Sequence, residues 1–227
     1  MKILSSFTAI CFAVSVGFLG PVIFSEFGFE GVQANAADDR SAQKKKKTRR
    51  VPTISEFIFK KLGEAQELMD AKEYELAEQY LKEMLGRSKK YNGNELGNIY
   101  NMLAYIAFLK EDFKEAIYAY EQVLAQGEDI TEGLEVTTLY TVAQLSFVTE
   151  NYQAALDYME LWISKADNPG PEPRIFMGQV YYQMKDYASA LTQIKNGISI
   201  AQERGTKVKE NWWSLVAFLY YEKEDFQ

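Results

Sequence analysis

Apolar residues in the body of the chain recur at helical spacing, in paired runs joined by one short signal. Upstream of Asp112, the residues Ile99, Leu103, Ala104, Ile106, Ala107 and Phe108 form one face of a helix. Downstream, Ala116, Ile117, Tyr120, Val123 and Leu124 form another. Between them lies an acidic residue plus an aromatic, with Ala three residues after the aromatic. The same signal occurs at Glu73-Tyr74 with Ala77, Asp112-Phe113 with Ala116, Asn151-Tyr152 with Ala155 (an amide replacing the acid), and Asp186-Tyr187 with Ala190. Asp225-Phe226 begins a fifth copy, and the aromatics are 39, 39, 35 and 39 residues apart. Period-2 alternation bounded by turn residues is absent, so strands have no support. Each unit therefore reads as helix, tight turn, helix, with the aromatic packed between the two helices and the Ala allowing close backbone approach.

This pattern resembles the tetratricopeptide repeat (TPR). Leu103, Ala104, Ala116 and Tyr120 match the family's positions in the second unit, as do Ala143 and Ala155 in the third. Gly178, Tyr181, Tyr187 and Ala190 match in the fourth, Trp213, Ala217 and Tyr220 in the fifth, and Ala65, Tyr74 and Ala77 in a weaker first. The resemblance implies an all-α fold, an α-α superhelix of stacked antiparallel helix hairpins spanning about residues 55–227, with four full repeats and an incomplete fifth. Units of 35–39 residues exceed the family's 34, and the surplus is expected in longer loops. The family's closing proline is displaced, as in Asn168-Pro169-Gly170-Pro171-Glu172-Pro173.

A finer likeness is carried by Arg49-Arg50-Val51-Pro52, Val123-Leu124-Ala125-Gln126-Gly127, Thr138-Leu139-Tyr140-Thr141-Val142-Ala143-Gln144-Leu145 and Lys209-Glu210-Asn211-Trp212-Trp213. These stretches resemble a family of exported Gram-negative TPR proteins associated with TonB-type energy-transduction systems, whose members are usually longer than this chain. The nearly continuous apolar run from Trp212 to Tyr221 reads as a helix packed on two sides, and Asp225-Phe226-Gln227 stops inside a turn. A terminal repeat should instead present a polar outer face, so the chain is expected to be a fragment or truncated product.

The N-terminus reads as an address. Met1 and Lys2 precede an apolar run from Ile3 to Leu19, and Ala34-Asn35-Ala36 supplies small residues for cleavage after Ala36. Residues 1–36 are thus expected to be a signal peptide and the mature protein periplasmic. Ile10 before Cys11, and the run continuing past it, argue against lipidation. An uncleaved inner-membrane anchor is the alternative, because Ile3 to Phe24 provides the roughly 20 residues a span needs. Residues 37–52 carry seven Lys/Arg against two Asp/Glu, whereas 53–227 carry 17 against 28. Residues 37–54 are therefore expected to be a basic flexible linker. Its Lys44, Lys45, Lys46, Lys47, Arg49 and Arg50 offer weak contact with an anionic membrane surface, and nucleic acid is not expected because no aromatics interleave the charges.

Candidate chemistry is sparse. The chain has no His and a single Cys, inside the expected signal peptide, which removes His- and Cys-based catalysis and metal ligation. Glu128, Asp129, Glu132 and Glu135 form the densest acidic cluster, yet their spacing is not that of a calcium loop. It reads as a solvated loop, with Gly127 as a helix C-cap. The stripes Tyr100, Tyr105, Tyr118 and Tyr120, and Tyr181, Tyr182 and Tyr187, read mostly as core between helices. No enzyme activity, cofactor or metal is expected.

The family resemblance implies a concave surface lined by the first helix of each unit. Carried onto this chain, its lining includes Asn98, Asn101 and Tyr105, then Tyr140, Gln144 and Phe147, then Gln179, Tyr182 and Gln183. Amides and tyrosines there suit an extended peptide. Asn101 falls where some family members hold a peptide carboxylate, but the cations of that clamp are not evident. The function expected is a periplasmic protein-binding scaffold accessory to a TonB-type system. The alternatives are an envelope-assembly scaffold for outer-membrane or cell-wall enzymes, and an accessory domain of a longer enzyme.

Overall fold

The structure, a computed structural model, describes the backbone of residues 49–225, all within Lys45–Gln227, the second of two units into which the chain divides. The expected signal peptide and the Lys44–Lys47 run lie outside the described residues. Nine α-helices follow one another there: α1 (Glu56–Asp70), α2 (Tyr74–Leu85), α3 (Gly93–Leu109), α4 (Phe113–Leu124), α5 (Glu132–Val148), α6 (Tyr152–Lys165), α7 (Glu172–Gln183), α8 (Tyr187–Glu203) and α9 (Glu210–Asp225). The described residues contain no strand. Neighbouring helices pack pairwise, α1 with α2, α3 with α4, α5 with α6 and α7 with α8, and each pair packs on the next. This is the expected α-α solenoid.

The hairpin turns explain the repeated signal. Lys72, Glu111, Glu150 and Lys185 each adopt φ of 60–62°. The residue after each donates its N–H back across the turn, Glu73 to Leu68, Asp112 to Ala107, Asn151 to Ser146 and Asp186 to Tyr181, at 2.8–2.9 Å. Each first helix thus ends in a Schellman motif, and the motif's last residue is the N-cap of the second helix. An acid or amide stands there in every unit, and it caps through its side chain in two of the four turns, Glu73 and Asn151 making no such bond. Asp112 and Asp186 complete the cap by accepting from the N–H of Glu115 and Ser189. The next residue is the aromatic, whose ring meets the end of the preceding helix: Phe113 lies 6.1 Å from Phe108, Tyr152 5.9 Å from Phe147, and Tyr187 5.9 Å from Tyr182.

The small residues set how closely the helices approach. Ala65, Ala104 and Ala143 on the first helices, and Ala77, Ala116, Ala155 and Ala190 on the second, have no exposed surface. Gly178 takes the place of the first-helix Ala in the fourth unit, where an added Cβ would run into Ile194 and come within 3.2 Å of the Ala190 carbonyl. Between units, Ile130 is buried against Gly97, where a methyl would sit 2.5 Å from Ile130 Cγ2.

One expectation changes. The surplus residues are not all in loops: α3 and α5 have 17 residues where α7 has 12, and the seven-residue loops 86–92 and 125–131 each fold a short 3₁₀ turn, Ser88–Lys90 and Gly127–Asp129. The last helix is packed on one side among the described residues. Trp212, Val216 and Leu219 are buried against α8, while Trp213, Ala217, Phe218, Tyr220 and Tyr221 are exposed.

Candidate functional site: the first-helix face and the N-terminal strap

The first helices α3, α5 and α7 carry the residues assigned to the concave face, and the structure divides those residues into three groups. Asn101 is half-buried and Tyr105 is 47% exposed, one turn apart on α3, with the exposed Leu109 a further turn on. Gln179 and the exposed Gln183 hold the same relation on α7. These are open to a ligand. A second group is spent internally. Asn98 donates to the Asn94 carbonyl at 2.8 Å and to Asn94 Oδ1 at 3.1 Å. Tyr140 packs its ring 5.3 Å from Trp162. Phe147 and Tyr182 are the turn-packing rings of their units, and each also makes an edge contact to the next first helix, Phe147 to Phe176 at 5.6 Å and Tyr182 to Phe218 at 5.8 Å. They join units together and offer little free ring surface.

Gln144 stands alone in the third group. Its Oε1 is buried with no donor among the described residues, as is Oγ1 of Thr138 two turns earlier on α5. A buried acceptor without a donor is costly. Val148, one turn beyond Gln144, is 54% exposed, so α5 carries an exposed apolar group at the repeat position of Leu109 on α3. Sequence reasoning passed over Leu109 and Val148 because single apolar residues late in a helix read as core.

The tyrosine stripes are also less buried than expected. Tyr120 is buried, and burial pushes its phenol up to about 12. Tyr100, Tyr181, Tyr182 and Tyr187 are half-buried, but Tyr105 and Tyr118 are 47% and 53% exposed.

The largest departure concerns residues 49–55. The expected flexible linker is, over this stretch, a strap laid across the N-terminal ends of the first helices. Arg49 Nη2 pairs with Glu135 Oε2 at 2.9 Å, and its Nη1 donates to the carbonyls of Ile130 at 3.2 Å and Gly127 at 3.4 Å. Asn94 Nδ2 donates to the Pro52 carbonyl at 2.8 Å, and Asn92 Nδ2 to that of Thr53 at 3.0 Å. Ser55 gives both its N–H (2.9 Å) and its Oγ–H (2.6 Å) to Glu95 Oε1. The strap thus passes from the start of α5 to the start of α3 and then enters α1. Asn92 and Glu95 also close a reciprocal capping box on α3. Burial would raise the carboxyl of Glu95, but the hydrogen bonds from Ser55 and Asn92 outweigh it and hold it below the usual carboxylate range.

The acidic cluster splits accordingly. Glu135 is not solvated: its side chain is 14% exposed and bridges Arg49 and Lys165, the latter at 2.7 Å. Burial opposes ionisation there, yet the bonds from Lys165 and Arg49 prevail and lower its carboxyl. Helix α4 ends at Leu124 with Ala125 as its C-cap, and Gly127 instead takes the left-handed conformation (φ 58°) at the start of the 3₁₀ turn. Asp129 packs over Gly93. No group of three His, Cys, Asp or Glu among the described residues could hold a metal ion.

Beside the strap, where it meets the α2–α3 turn, lies a cleft of about 550 Å³.

No family model and no curated protein sequence matches the chain. Its fold is similar to that of solved helical-repeat structures at low identity. MamA residues 41-end from Desulfovibrio magneticus RS-1 align with a TM-score of 0.56 at 15% identity, over 76% of this chain and 89% of that one. YrrB, a TPR protein with an unusual peptide-binding site, aligns with a TM-score of 0.53 at 19% identity, over 72% and 76%. The apo form of RapI aligns with a TM-score of 0.59 at 14% identity, over 74% and 49%. These likenesses bear on the fold: the chain is a TPR-type solenoid.

Proposed function

We propose that the protein is a non-catalytic scaffold whose first-helix face binds an extended segment of a partner protein. The observation that carries this reading is the register of open groups along that face. Leu109 on α3, Val148 on α5 and Gln183 on α7 expose side chains at one repeat position, and Tyr105 on α3 and Phe218 on α9 do so at the position one turn earlier. A row of rings, aliphatic groups and amides offers contact area and backbone pairing at low entropic cost, and peptide recognition in YrrB is a precedent on a similar fold.

In its finer form the proposal places the scaffold in the periplasm, delivered by the N-terminal address, as an accessory of a TonB-type transport system. Support comes from the sequence likeness of residues 49–52, 123–127, 138–145 and 209–213. Crosslinking in living cells, followed by identification of captured proteins, tests both parts. Capture of TonB-motor components, lost in an Asn101→Ala/Tyr105→Ala variant, is the expected result. Capture of cell-wall or barrel-assembly proteins alone would overturn the transport role. Unchanged capture in the variant would overturn the assigned face.

A further inference from the structure

We propose a second interaction surface on the strap edge: a cleft that takes an acidic, aromatic-containing segment of a partner protein. It lies between the strap and the α2–α3 turn, and is lined by Thr53, Ser55, Phe57, Arg87, Lys90 and Tyr91. Phe57, 56% exposed, and the half-buried Tyr91 both line it. Two rings at the edge of a concavity provide a seat for one apolar side chain.

The rim supplies the charge. Arg87, Lys89 and Lys90 are exposed on or beside the 3₁₀ turn, and none has an ion-pair partner among the described residues. Elsewhere among the described residues several cations are held in ion pairs, Lys61 with Glu64, Lys82 and Lys110 with Glu78, and Arg49 and Lys165 with Glu135. One carboxylate, Glu95, also reaches the cleft, but it is only 4% exposed and its oxygens already accept from Ser55 and Asn92. The accessible charge of the cleft is therefore positive, on a body whose residues 53–227 carry 11 more acids than bases.

That contrast selects the occupant. A nucleic acid or anionic membrane meets the three cations of this turn and then, over residues 53–227, a mostly acidic surface. A small inorganic anion needs convergent donors, whereas Arg87 and Lys90 flank an open cleft. A short acidic segment with one aromatic uses both the cationic rim and the ring-lined wall. The surface is separate from the first-helix face, so either can fail without the other.

The test is fluorescence anisotropy on the full chain with a labelled alternating Glu-Phe peptide, against an alternating Lys-Phe peptide. Micromolar binding of the acidic probe alone is expected. An Arg87→Glu/Lys90→Glu variant should weaken it by at least about tenfold. A Lys72→Glu/Lys185→Glu variant, with the same net-charge change at exposed turns elsewhere, should leave it within about twofold. Arg87→Lys/Lys90→Arg should retain most of the affinity, and circular dichroism checks that each variant is folded. Equal loss in both reversal variants, no preference for the acidic probe, or a dimer that dissociates only on the Arg87/Lys90 reversal would each overturn the proposal. The last result would assign the cleft to a second copy of the chain.

Discussion

Four equivalent residues hold a left-handed backbone that none of them favours, and replacing them should stabilise the solenoid. Lys72, Glu111, Glu150 and Lys185 carry a Cβ at φ of 60–62°, where the side chain crowds the following carbonyl. The Schellman turn between α8 and α9 shows the alternative: Gly205 sits at φ 63°, with Thr206 donating to Ala201 in the same pattern. The conformation costs about 1–2 kcal/mol for a residue with a Cβ, and glycine returns about 0.5–1 kcal/mol through lost unfolded-state entropy. Each substitution to Gly should therefore gain roughly 0.5–1 kcal/mol. All four residues are exposed, in separate repeats, with no shared partner, so the quadruple variant should gain roughly 2–4 kcal/mol. Urea unfolding followed by circular dichroism measures this, provided the slope is unchanged between variants. Glu160→Gly, at an exposed position inside α6, is the control and should lose about 1 kcal/mol. If Glu111→Gly and Glu150→Gly fall as far as Glu160→Gly, the left-handed backbone is not what limits these turns and the reasoning fails.

Other substitutions report on packing and on the strap. Thr138→Val removes a buried, unpartnered hydroxyl at nearly constant shape and should raise stability by about 1 kcal/mol in the same urea assay. Gly97→Val should cost about 1–3 kcal/mol by forcing Ile130 out of its seat, visible as a lower thermal midpoint. A double-mutant cycle on Arg49→Ala and Glu135→Ala should give a coupling of about 1 kcal/mol, since both side chains are largely shielded from solvent. In Arg49→Ala, proteolysis should appear first within residues 49–55, and identical cleavage patterns in both proteins would show that the strap is not held there. Glu95 and Glu135 have folded-state pKa values below their unfolded ones. Their contribution is therefore complete above the unfolded carboxyl pKa of about 4.3 and is lost as pH falls through the lower folded values. A Glu95→Gln variant should show a shallower loss of stability across that acid range than the parent protein.

How much was legible in the sequence depended on whether a residue's partner lay close along the chain. The hairpins were readable because their determinants are local. Asp112, Phe113 and Ala116 occupy a single turn and the helix start after it, so cap, ring and close-approach residue recur as one short signal. Ala65, Ala104 and Ala143 could be assigned to helix contacts for the same reason, and all three are buried. Which residues of the first-helix face stay open was less legible. Phe147 and Tyr182 sit at positions that face a groove in the resembled family, but here an aromatic follows each turn at Tyr152 and Tyr187 and draws those rings into packing. That competition was visible in principle, since both members of each pair stand five residues apart.

The strap could not be read from composition, and the reason is physical. A run of cations with no apolar face cannot organise itself, so residues 37–54 read as solvated. What orders residues 49–55 lies 39–86 positions away: Glu95, the Asn92 and Asn94 amides, the carbonyls of Gly127 and Ile130, and Glu135. These groups converge only because the first helices stack with their N-terminal ends along one edge. Asn92 and Glu95 close a capping box on α3, yet Glu95 Oε1 is left over to accept from Ser55. Glu135 read as one acid among four, but Arg49 and Lys165 reach it from two other elements. The strap is thus a consequence of the solenoid. It turns the start of the folded body into one wall of a cleft whose other wall, the Arg87–Lys90 turn, belongs to the loop that joins the first two repeats. If the strap is released in a Glu95→Ala/Glu135→Ala variant that still shows native helicity, the cleft loses the wall carrying Thr53 and Ser55. Acidic-peptide binding should then fall while binding on the first-helix face persists.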